Sequence, residues 1–184
     1  MSFLAGWENF YVILGSAAGG LIGLTFVVIA LMSDARRANP AGMRGYITPT
    51  IVHFGSVLAL SALLSVPQQS VWCLSLGFGL TGVLGLVYTA VTFRHMHLFS
   101  RNYEPVLEDW IWHAIGPVLV YGALAGMALV IWHDARESLY GSAAALAALL
   151  FIAIHNAWDV AVSITVQKQK DAEKSTDSKT QRPR

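Results

Sequence analysis

Phe10–Met32 reads FYVILGSAAGGLIGLTFVVIALM, an apolar run without Asp, Glu, Lys, Arg or His. A helix of about 20 residues crosses a ~30 Å hydrocarbon layer, and this run is long enough to do so. Four more segments of similar character follow, at Thr48–Val66, Val71–Phe93, Trp110–Trp132 and Leu139–Val166. The chain is 55% hydrophobic and 12% charged, against about 25% charged in a soluble domain. A water-soluble fold of 184 residues has no core large enough to bury five such helices. The sequence therefore reads as an all-α polytopic integral membrane protein, a five-transmembrane-helix bundle.

Orientation follows from the basic residues, which favour the cytoplasmic side. Arg36, Arg37 and Arg44 lie between the first two segments, and Arg94 and Arg101 between the third and fourth. Lys168, Lys170, Lys174, Lys179, Arg182 and Arg184 follow the fifth. When five segments alternate, these three regions share a side, leaving only Arg136 on the other. The reading is a short external N-terminus over 1–9, a transmembrane domain over 10–166 and a disordered basic cytoplasmic tail over 167–184. The membrane expected is the bacterial inner (plasma) membrane. Met1–Phe10 lacks a basic n-region, so the first segment reads as a permanent anchor rather than a cleaved leader. The single Cys73 excludes an internal disulfide and a thiolate zinc site, and a net charge of +1 gives no bulk attraction to nucleic acid.

Segment ends carry the residues that favour them. Thr48 with Pro49 suits the start of the second helix, and Pro67 ends it ahead of a tight turn to Ser70, a cap for the third. Trp7, Tyr11, Trp72, Trp132 and Tyr140 mark the outer interface; Tyr46, Trp110, Trp112 and Trp158 mark the inner one. Gly15, Gly19 and Gly23 form two overlapping GxxxG motifs, and Gly122 and Gly126 a third. Gly77, Thr81 and Gly85 form a small-residue stripe on the third helix. Such faces let backbones approach closely, within one chain or between copies, so a homo-oligomer within the lipid bilayer is expected.

The informative residues are those that hydrocarbon disfavours. An ionisable group inside a membrane helix normally faces a partner or water and marks a functional position. His53, Tyr88, His113, His155 and Asp159 come from four helices and all fall in the cytoplasmic leaflet. Counting ~1.5 Å per residue from segment centres puts His53 about 7 Å, and Tyr88 and Asp159 about 9 Å, toward the cytoplasm. Pro117 lacks the N–H that would bond the His113 carbonyl, so a bend is expected there.

His53, Tyr88, His155 and Asp159 are the expected proton or ion path, and the leading functional reading is a proton- or cation-conducting channel or transporter. No repeat relates the halves, which disfavours a single-chain inverted-repeat transporter. A second reading is a membrane metalloenzyme or haem protein. There His53, His113, His155 and Asp159 are ligands to Zn, Fe or Mn, with His95, His97, Glu104 and Asp109 in support. A third is a non-catalytic accessory subunit. The simpler alternative for His155 and Asp159 is a structural hydrogen bond within the bundle, and for His95 and His97 an interfacial position.

Overall fold

The structure, a computed structural model, describes Leu4 and residues 6–31, 40–99 and 110–180; the side chains of 31, 40–47, 95–99 and most residues beyond 162 lie outside that description. The regular structure is helical throughout. In chain order it comprises α1 (Glu8–Leu31), α2 (Pro40–Ser65), α3 (Val71–Phe99), a π-helical turn (Ile111–Ile115) leading into α4 (Gly116–Val130), and α5 (Ala135–Thr180). Five stretches are long and apolar enough to cross a membrane: Glu8–Ala30, Thr48–Ser65, Val71–Arg94, Ile111–Val130 and Ala135–Val162.

Two helices extend past the apolar segments. α2 starts at Pro40, not Thr48, so Pro49 lies inside it. Pro40 suits the first helical position, where a missing N–H removes no bond. Residues 167–180, expected as a disordered tail, continue α5. Lys, Gln, Glu and Ala are good helix formers, and extending an existing helix avoids the cost of nucleating a new one.

Successive helices pack antiparallel. Val66 donates to the Leu63 carbonyl and Gln68 takes a left-handed conformation (φ 56°), which reverses the chain between α2 and α3. Ser70 caps α3 as expected, its Oγ accepting from the Cys73 N–H at 3.2 Å. Asp134 caps α5, with Oδ1 accepting from the N–H groups of Arg136 and Glu137 at 2.9 and 3.0 Å. Trp132 packs edge-on against Trp72, and its indole N–H donates to Ser75 Oγ at 3.1 Å. Ser75 in turn donates to the Ala128 carbonyl at 2.7 Å, tying α3 to α4.

The core is a stripe from every helix, including Tyr11, Leu60, Phe78, Leu124 and Leu146. Lipid is as apolar as these side chains, so close packing rather than exclusion from water holds them together. The tightest approach is α3 on α4. A Cβ at Gly82 would stand 2.6 Å from the Ala125 nitrogen and 2.8 Å from the Tyr121 carbonyl oxygen. A Cβ at Gly85 would overlap the Tyr121 ring.

The α1 motif is only partly used. A Cβ at Gly15 would stand 3.0 Å from Ser61 and one at Gly19 3.8 Å from Leu58, whereas one at Gly23 would meet nothing within 4 Å. Gly122 and Gly126 also meet nothing, so their face points out of the bundle.

Candidate functional site

Helical geometry explains how the polar core forms. Tyr121 stands at the centre of the span Ile111–Val130 and Ser56 at the centre of Thr48–Ser65, with His53 about one turn nearer the start of α2. Helical side chains lean toward their own N-terminus. The Tyr121 phenol is thus carried toward the end of the bundle where α2 and α4 both begin. Arg94 also lies at that end, which is here termed the basic end. The absence of a Cβ at Gly85 makes room for the ring.

The Tyr121 hydroxyl sits 2.9 Å from His53 Nδ1 and 3.2 Å from Ser56 Oγ, and Ser56 donates to the Val52 carbonyl at 2.9 Å. His53 and Tyr121 are almost wholly buried, at 2% and 0% exposure. One proton arrangement satisfies all three contacts. His53 Nδ1–H donates to Tyr121, Tyr121 O–H to Ser56, and Ser56 O–H to Val52. The reverse direction, with Tyr121 donating to His53, leaves one of the three without a hydrogen. The favoured tautomer keeps the Nε2 lone pair of His53 available.

His113 sits in the π-helical turn, within electrostatic range of His53. The turn is closed by the Gly116 N–H donating to the Ile111 carbonyl, five residues back. This is the irregularity expected at Pro117, in the form of a π-turn rather than a simple bend. Such turns recur at functional sites because they re-aim a side chain within a helix. Tyr88 turns its hydroxyl to Thr92 and interacts with Tyr121 through space.

The expected path residues thus divide into two groups. His53 joins the inner chain. His155 and Asp159 form a separate outer pair, with Nε2 to Oδ2 3.2 Å and side chains 25% and 48% exposed. The His155 ring lies on Trp112, with centroids 4.0 Å apart. Asp159 follows His155 by one turn on the same face of α5, with nearly half of its side chain exposed.

Among the described residues no three His, Cys, Asp or Glu side chains gather into a group that would hold a metal ion. The proposed ligands His53, His113, His155 and Asp159 are therefore not brought together as a set. The side chains of His95 and His97, and Glu104 and Asp109 entirely, lie outside the described residues.

Two residues passed over in the sequence belong in this account. Tyr121 is the hub of the inner chain, and its signal was a tyrosine at the middle of a span, far from either aromatic belt. Asn156, 1% exposed, has neither amide atom hydrogen-bonded to the protein. An amide at membrane depth was its signal.

A cleft of about 330 Å³ opens between α1, α2 and α5, lined by apolar residues such as Leu24, Val28, Phe54 and Trp158. It offers hydrophobic surface and almost no polar contact. In comparisons with known proteins, no family model, no curated protein and no solved structure matches the chain.

Proposed function

We propose that the protein conducts protons across a membrane, using His53, Tyr121 and Ser56 as a hydrogen-bonded relay at mid-bilayer. The observation that carries this reading is the buried three-membered chain itself. Stability does not account for it, because hydrogen bonds between membrane helices contribute only ~0.6 kcal/mol on average. Proton transfer, in contrast, needs groups that can each both donate and accept a proton, lined up along one chain.

In this reading a proton arriving at His53 Nε2 lets Nδ1–H pass its own proton to Tyr121, and Tyr121 passes one to Ser56. The chain ends on the Val52 carbonyl, so onward transfer requires the Ser56 hydroxyl to rotate away. That rotation is the closed-to-open step. The basic end faces the cytoplasm of a plasma membrane, and Asp159 with His155 lies at the cytoplasmic mouth.

Proteoliposomes loaded with a pH-sensitive dye test the proposal. Wild-type protein is expected to dissipate an imposed proton gradient, and His53→Ala to slow this by about tenfold or more, equivalent to ~1.4 kcal/mol on the barrier. Asp159→Asn, at the cytoplasmic mouth, is expected to slow the flux as well, but by less than His53→Ala, because the chain of His53, Tyr121 and Ser56 is left intact. Wild-type vesicles no leakier than empty ones would refute the reading.

We infer in addition that copies associate through the outward face of α4, where Gly122 and Gly126 meet nothing in their own chain. Gly122→Leu with Gly126→Leu is expected to shift the detergent-solubilised protein to a smaller assembly by light scattering. An unchanged mass would rule this face out as the subunit contact.

A further inference from the structure

Asn156 directly follows His155 of the outer pair in α5 and is almost wholly buried, whereas the pair is partly exposed. The register of α5 on α4 is fixed by two contacts. Ile152 packs at the Gly116 position, and the His155 ring lies on Trp112. Asn156 is one turn beyond Ile152 on the same buried stripe, which places it level with the π-turn that carries His113. On its other flank, Ala157 lines the cleft with Thr50 and Phe54 of α2, three residues before and one after His53. Asn156 directly follows His155, about 100° around the helix, so the two side chains leave α5 from one turn.

Its amide offers two donors and two acceptor lone pairs, and neither Nδ2 nor Oδ1 meets a protein partner. Each unsatisfied polar group in a membrane interior costs several kcal/mol, so a buried asparagine left this way needs a ligand that makes hydrogen bonds. The ligand must be small, because the position is closed to solvent. It is also neutral or shares a proton, because no carboxylate faces the site from the same turn; Asp159 lies on the exposed side.

We propose that Asn156 holds buried water that joins the His155–Asp159 pair to His53, making it the connecting residue of the conduction path. The bridging role rests on the proton-conduction reading above. Hydration of the amide does not, and can be measured separately. A buried water makes about three hydrogen bonds, and the amide supplies both donors and acceptors for it.

Two measurements test this. In isotope-labelled wild-type protein in detergent, the side-chain NH₂ of Asn156 is expected to show a magnetisation-transfer peak to water, assigned by its loss in Asn156→Leu. Absence of that peak overturns the hydrated site whatever the flux. In proteoliposomes, Asn156→Leu is expected to slow proton flux by about tenfold, while Asn156→Ser, which keeps a hydroxyl, retains most of it. A thermal midpoint for Asn156→Leu no lower than wild type excludes misfolding as the cause. Wild-type flux in a well-folded Asn156→Leu overturns the bridging role. A wild-type protein that carries no protons removes both the conduction reading and the bridge, leaving the water peak to decide hydration alone.

Discussion

Gly82→Ala is expected to lower stability by about 1–3 kcal/mol or more, the range for overpacking a close-packed site, although it adds a single methyl group. The three atoms nearest its Cβ, at 2.6, 2.8 and 2.9 Å, all belong to the α4 backbone. A flexible side chain can turn aside, whereas a helix backbone moves only with the whole helix. α3 and α4 must therefore separate, which also strains the Trp132–Ser75–Ala128 hydrogen bonds that tie them together. Gly85→Ala acts differently, because its Cβ meets the Tyr121 ring, and displacing the ring pulls the hydroxyl from His53 and Ser56. Gly122→Ala and Gly126→Ala are the controls. With nothing within 4 Å, they should leave the fold of the single chain intact. Thermal unfolding in detergent, followed by circular dichroism, reads all four. A Gly82→Ala midpoint equal to that of Gly122→Ala would mean that α3 and α4 are not so closely apposed.

That contrast marks what the sequence reveals and what it hides. The five spans were legible because length and apolar character alone decide whether a helix can cross a bilayer. Helix ends beyond the apolar core were not. The first turns of α2, residues 40–47, are polar enough to read as a connection, and hydropathy finds the membrane-embedded part of a helix rather than its whole length.

Rotation about each helix axis was hidden for a deeper reason. In a soluble protein the polar face points outward, but lipid and core are equally apolar, so the pattern carries little phase. Leu80, Leu119 and Leu129 are at least 60% exposed, whereas Leu74 and Leu124 are wholly buried, and nothing in their identity distinguishes them. Hence Gly77, Thr81 and Gly85 could be read as one stripe without revealing that Gly82 makes the closest approach to a neighbouring backbone. Hence also the sequence does not distinguish Tyr88 from Tyr121, although Tyr121 is wholly buried. His53 was legible because an imidazole in a span is costly in any orientation.

Tyr121→Phe should separate the structural role of the inner chain from the functional one. The ring remains, so packing against Gly85 is unchanged and only the hydroxyl oxygen is lost. His53 Nδ1 then has no hydroxyl to meet, while Ser56 keeps its bond to Val52. Leaving a buried donor unpaired costs about 1–3 kcal/mol in general. Hydrogen bonds between membrane helices average only ~0.6 kcal/mol and reach at most ~1.7 kcal/mol, because the unfolded chain in the bilayer also finds partners. A double-mutant cycle of Tyr121→Phe with His53→Leu is therefore expected to give a coupling within that lower range. Flux should respond out of proportion to stability. Phenylalanine cannot carry a proton, so the relay is cut and conduction should fall by at least about tenfold, as for His53→Ala. A merely structural chain predicts the opposite pattern, with a lower midpoint, unaltered flux in the molecules that remain folded, and recovery of stability in the double variant. The decisive observation is the ratio of the two effects in the same preparation. Flux lost with little stability lost identifies a relay, and stability lost with flux retained identifies a polar pin between α2 and α4.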